Sequence, residues 1–220
     1  MSSENKFLIS IGIITFILII GGVFFFSKGK SLSPSQEQNF DQAQLIQSAK
    51  HSKGAADSAV TIVEFGDIQC PACQAAQPII NRTLEKHSQN IYFVFRHYPL
   101  TTHKNSIVAA KAAEAAGNQG KFFEMLDLMY KNQKEWEQEA NPREEYRQYA
   151  SELTLDLDQF NKDMEKDYEN IMSDYALGNM AGVQSTPTFF INGQKYSGVI
   201  QEEQLQQIIE GIVQDQGQKQ

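Results

Sequence analysis

The chain has 220 residues, 41% of them hydrophobic, a formal charge of -8 at pH 7 and two cysteines. That length supports one good-sized core plus appendages. The acidic balance, with no cluster of Lys and Arg, argues against a nucleic-acid partner, because phosphates are held by clustered basic side chains.

Behind a short tail at 1–6, residues 7–26 read FLISIGIITFILIIGGVFFF, an uncharged run of 20 residues. As a helix it would be about 30 Å long, the thickness of a bilayer's hydrocarbon core. A secretory signal peptide would end at a small-x-small cleavage site. This run ends instead in Phe24, Phe25 and Phe26, with no cysteine directly behind it to carry a lipid. The expectation is an uncleaved transmembrane anchor. Lys6 lies on one side of it and Lys28 and Lys30 on the other, so the bias of positive charge does not orient it. Residues 27–53 are rich in Ser, Gln, Gly and Lys, with only a weak helical stretch near 40–46, and read as a linker.

The globular part is expected over 54–220. AVTIVEF at 59–65 is a β-branched run ending at Gly66, the pattern of a buried strand. From Pro71 to about His87 the pattern is helical. Proline suits the first helical position, where an N–H would have no partner, and this places Cys70 at the N-cap. Pro78 inside that helix removes a backbone bond. IYFVFRHY at 91–98 is a second strand, giving a βαβ unit with parallel strands. A helical insertion is expected from about 103 to 181. It comprises an Ala-rich segment, the amphipathic KFFEMLDLMYKNQ, a helix capped by Asn141 with Pro142 at its first position and Glu144 in the capping box, and one last long helix. Asn192-Gly193 then signals an antiparallel hairpin joining 187–191 to 194–197, covered by a closing helix.

Both cysteines stand in GDIQCPACQAAQP, at 70 and 73. A zinc site would need further ligands at matching spacing, and His51, His87, His97 and His103 are not so paired. A purely structural disulfide would close too short a loop to remove much chain entropy. The redox reading has local physics behind it. Cys70 at a helix N-terminus faces the positive end of the macrodipole and unpaired N–H groups, which favour a thiolate and make it the nucleophile. Cys73, one turn inward, is the more buried, resolving thiol. His97 and His103 read as packing or capping groups. Met125, Met129, Met164 and Met172 read as core, and the Glu and Lys runs between 134 and 169 as solvated helix faces.

Four segments, in this order, resemble the DsbA-like branch of the thioredoxin superfamily: AVTIVEFGDIQCPACQAAQP, FRHYPLTTHKNS, AAEAAGNQGKFFEMLDLMY and GVQSTPTFFINGQKYSG. The similarity runs from about 54 to 213. It implies an α/β thioredoxin-like fold, a mixed sheet flanked by helices and interrupted by a helical subdomain, here with an N-terminal transmembrane helix added. It implies a cis-proline at Pro187, with the Thr186 backbone pairing with an extended substrate strand beside the sulfurs. It also implies a buried acid, Glu64, that shuttles the Cys73 proton. The implied activity is disulfide exchange with cysteine-containing client proteins outside the cytoplasm, as an oxidase supported by a membrane redox partner, with no metal or cofactor. Oxidising members carry Pro-His between the cysteines, whereas this chain has Pro71-Ala72. Reductase or isomerase activity therefore stays open, and Asp67 is expected to oppose the thiolate by like charge. A peptide-binding chaperone and a soft-metal clamp are the readings from other classes.

Overall fold

The computed structural model describes residues 40–217. The anchor expected at 7–26 lies outside the described residues. Among the described residues, no helix is long and apolar enough to cross a membrane.

The sheet contains five strands among these residues, in the order β1-β3-β2-β4-β5. β2 (Val60–Gly66) and β3 (Ile91–His97) are parallel, in register from Val60 opposite Ile91 to Gly66 opposite His97. Every residue of β2 is buried, which is why it reads as a continuous apolar run rather than an alternating one. α2 (Pro71–Lys86) is the crossover between them. β4 (Thr188–Ile191) adds antiparallel to β2, and β5 (Gln194–Ser197) pairs with β4. The turn between β4 and β5 is Asn192-Gly193, both with positive φ, 46° and 84°, the geometry for which that dipeptide is suited. α9 (Glu202–Gly217) closes the domain, burying Leu205 and Ile209.

Residues 40–53, expected as linker, are part of the domain instead. α1 (Gln42–Ile46) buries Leu45 completely, and β1 (His51–Lys53) is the antiparallel edge strand beside β3. Arg96 of β3 holds this segment down: its guanidinium donates to the carbonyls of Leu45 and Gln47 and pairs with Asp174 at 2.6 Å. The polar composition of 40–53 hid this, because Arg96 grips its backbone carbonyls, which composition does not record, and its Lys50 and His51 side chains find their partner only at the distant Glu114.

The helical insertion sits between β3 and β4. It comprises α3 (Ser106–Gly117), α4 (Phe122–Lys131), α5 (Gln133–Trp136), α6 (Arg143–Glu152), α7 (Leu157–Met164) and α8 (Glu169–Met180). The expected last long helix is two. α7 is capped by Asp156, whose side chain accepts from the Gln159 N–H, and the chain turns after Met164 so that Phe160, Met164 and Ile171 can all reach the interior. α6 begins at Arg143 with Pro142 in the cap position and no side-chain cap bond, so Asn141 does not cap it. Met125, Met129 and Met164 are core, but Met172 is 58% exposed and corrects that expectation. Trp136, Tyr130, Tyr146 and Phe160 fill the insertion's centre, each such side chain contributing on the order of 2–3 kcal/mol by leaving water.

Candidate active site

Cys70 is the N-cap of α2, in extended conformation (φ -75°, ψ 123°), and Pro71 occupies the first turn. Gly66 ends β2 where a Cβ would come within 2.6 Å of the Phe95 ring, so only glycine allows the strand to pass Phe95 into the active-site loop. Cys70 is 6% exposed and Cys73 is fully buried, both as free thiols.

The peptide bond between Thr186 and Pro187 is cis, and it lies against the sulfurs: the Cys70 thiol donates to the Thr186 carbonyl at 3.3 Å. The structure thus brings together Cys70, Cys73, Thr186 and Pro187 from opposite ends of the sequence. Glu64 lies beneath them on β2, 1% exposed, with neither carboxyl oxygen hydrogen-bonded.

The two thiols are driven apart in acidity. A hydrogen bond from Cys73 draws Cys70 down to about 5 against the opposing effect of burial, helped by the backbone N–H groups of Cys73 and Ala72. Cys73 is pushed well above the ordinary thiol value, first by burial and then by its bond to Cys70 and the nearby charge of Glu64. Burial raises Glu64 to about 8, with a further push from Cys70. At neutral pH this leaves a nearly buried Cys70 thiolate, a protonated Cys73 thiol behind it and a protonated Glu64 carboxyl.

Asp67 has a structural part as well. Its carboxylate accepts from the backbone N–H groups of Gln69 and Leu100, the Ser106 hydroxyl and His103 Nδ1, all between 2.7 and 2.8 Å. These bonds tie the active-site loop to the segment after β3. His103 is therefore a loop-tethering group.

A second buried cluster has no signal in residue spacing. His51 and His97, on β1 and β3, both meet Oε1 of Glu114 on α3, at 2.6 and 3.0 Å, and Asn170 of α8 donates to the same oxygen. The donor atoms of these three residues lie within 4.8 Å of one another, the closeness a metal site requires. The Lys50 ammonium, however, pairs with the other Glu114 oxygen, so the carboxylate already has a cation. Although burial acts to raise it, the hydrogen bonds from His51 and His97 hold Glu114 well below the usual carboxylate range.

The active-site loop is also gripped from the insertion. Gln133 donates to the Ile68 and Cys70 carbonyls, Tyr130 to the Asp67 carbonyl, and Gln69 and Gln74 donate to the carbonyls of Glu137 and Tyr130. Sequence reading missed Gln133. The available signal was its place at four-residue spacing after Met125 and Met129, a polar residue on a buried stripe.

A family model described as Thioredoxin matches residues 47–211. A thioredoxin-like oxidoreductase from Silicibacter pomeroyi DSS-3 has a similar structure, with a TM-score of 0.66 at 26% identity, covering 82% of this chain and 99% of that one. BdbD from Bacillus subtilis gives 0.66 at 23% identity over 74% of this chain and 92% of its own. α-DsbA1 from Wolbachia pipientis gives 0.67 at 19% identity over 76% and 92%. In sequence, the chain is 40% identical over 151 residues to a protein named Na(+)/H(+) antiporter NhaA 1 from Salinispora arenicola, covering 67% of this chain but 22% of that protein. The chain spans less than a quarter of the length of the curated relatives it matches.

Proposed function

The chain belongs to the thioredoxin family, and from that premise we propose that it is a thiol-disulfide oxidoreductase that introduces disulfides into client proteins. The observation that carries this reading is Cys70, a thiol at a helix start, drawn down to about 5 and faced by the Thr186 carbonyl beside a cis-proline.

The exchange follows from these positions. A client thiolate attacks Cys70 Sγ of the Cys70–Cys73 disulfide, forming a mixed disulfide and expelling the Cys73 sulfur. Cys73 is a poor leaving group as a bare anion in its buried position, and the proton held by Glu64 neutralises it. A second client thiolate then attacks the client sulfur of the mixed disulfide, the client disulfide forms, and Cys70 leaves as a thiolate. The client is oxidised by two electrons and the pair is reduced by two. The backbone at Thr186 is placed to pair with an extended client strand while this happens.

The oxidative direction is supported by the acidity of Cys70. A stable thiolate favours the reduced pair, which makes its disulfide the stronger oxidant. Pro71-Ala72 lacks the histidine of oxidising relatives, yet the Cys73 thiol and helix N–H groups supply the stabilisation here. Equilibration with glutathione buffers tests the direction. A potential near the DsbA end of the scale is expected, and one near the thioredoxin end would make the protein a reductase.

The run at 7–26 then serves as a membrane anchor, with the domain on the extracytoplasmic side and a membrane redox partner taking the two electrons from Cys70 and Cys73. That the relatives carry the matched segment within proteins named as antiporters supports residence at a membrane. A membrane-impermeant thiol reagent should label Cys70 in intact cells after reduction; protection until lysis would place the domain inside.

A further inference from the structure

Gln133 opens α5 and is 1% exposed. Its Nε2 donates to two carbonyls of the active-site loop, Ile68 at 2.8 Å and Cys70 at 3.3 Å. The Cys70 carbonyl also accepts from the Gln74 N–H at 3.0 Å, within the first turn of α2. A carbonyl oxygen has two lone pairs, and here one is held by the helix and the other by the insertion.

The consequence lies in the backbone angle of Cys70. The direction of its carbonyl is set by ψ, and ψ also sets where the following N–H groups of Ala72 and Cys73 stand relative to Sγ. The bond from the Gln74 N–H ties this carbonyl to the helix on one side, and the Gln133 amide adds a second tie from outside the helix that narrows its remaining freedom about ψ. Of the side chains from the insertion that grip this loop, Gln133 is the one that reaches Cys70 itself. Tyr130 reaches Asp67, while Gln69 and Gln74 send their own amides the other way, to Glu137 and Tyr130.

We propose that Gln133 is a positioning residue for Cys70: its amide, delivered by the helical insertion, locks the Cys70 carbonyl so that the sulfur stays beside the N–H groups at the start of α2. The helical insertion is thereby part of the redox centre. The inference rests on the reading of Cys70 as the attacking thiol.

The test follows the rate of Cys70 alkylation by iodoacetamide against pH in the full chain, with the adduct located by peptide mass spectrometry. It is paired with equilibration against glutathione, in which protein disulfide and two glutathiones give the dithiol and glutathione disulfide. In Gln133→Ala the midpoint of the rate profile, near 5 in the parent, should rise by about half a pH unit. The dithiol population should fall by the same factor, roughly threefold. Gln133→Met keeps the volume and removes the donor, and should show the same shift if the alanine variant folds poorly. Gln77→Ala, on α2, breaks part-buried bonds to Asn81 of that helix and Asp127 of α4 without reaching Cys70, and should leave the profile in place. An unmoved profile in both Gln133 variants, with only a lowered melting temperature, would reduce Gln133 to a structural residue while leaving the exchange reading intact. An adduct forming first on Cys73 in the parent would overturn the exchange reading and this inference together.

Discussion

Among the described residues two glutamates are buried, and they behave in opposite ways. Glu114 is fully enclosed and accepts from Lys50, His51, His97 and Asn170, so its charge is retained inside the protein. Glu64 is as deeply enclosed, has no hydrogen-bond partner on either oxygen and keeps its proton up to about 8. The side chains are chemically identical. What differs is whether the surrounding elements supply donors, because a buried carboxylate ionises only where hydrogen bonds or cations replace its lost water. Glu114 is thus a fixed tie between β1, β3, α3 and α8. Glu64 is an unpartnered, protonated acid, the group that the proposed exchange uses as its proton donor.

The largest effect is expected at the reactive end of this contrast. Cys70→Ser should abolish turnover in a disulfide-exchange assay, whereas Cys73→Ala should trap mixed disulfides with clients through Cys70, visible on non-reducing gels. Adducts through Cys73 in the Cys70 variant would reverse the assignment.

At the tied end, Glu114→Ala strands two buried histidines, an amide and an ammonium. It should cost about 3–5 kcal/mol in urea unfolding, as loss of one partner in a buried ion pair does. A cost below about 1 kcal/mol would mean that the network is not a structural tie.

Glu64 sharpens the contrast by its sign. Its acidity is raised in the folded protein from 4.5 to about 8, so between those values the native state holds a proton that the unfolded chain has released. Stability should therefore fall as pH rises through that window, by roughly 3 kcal/mol at pH 7, and level off above 8. Glu64→Gln cannot ionise, and its stability should stay level across the window, parting from the parent as pH rises. An identical pH dependence in both proteins would show that Glu64 is charged in the fold. The smallest effect is expected at the surface, where Lys121→Ala, removing the exposed pair with Glu124, should change stability by no more than about 0.5 kcal/mol.

The cysteine pair, its place at a helix start and the hairpin at Asn192-Gly193 are local features. Each follows from a few adjacent residues with strong conformational preferences, and the structure has them at those positions. The βαβ unit and the inserted helices follow from periodicity, which records which faces are apolar. Helix ends were less legible. The break between α7 and α8 and the start of α6 depend on how each turn packs, and the burial of 40–53 depends on Arg96, some fifty residues away.

Sequence alone therefore determined the chemistry available to this protein: two sulfurs one helical turn apart, a proline that starts the helix, and a distant proline suited to stand opposite. Only the tertiary structure decided how that chemistry is tuned. Gln133 on Cys70, the unpartnered Glu64 beneath Cys73, and the histidines gathered around Glu114 are side-chain relations across wide sequence separations. No period or local propensity encodes such contacts, because they exist only once the sheet and the insertion have packed against each other.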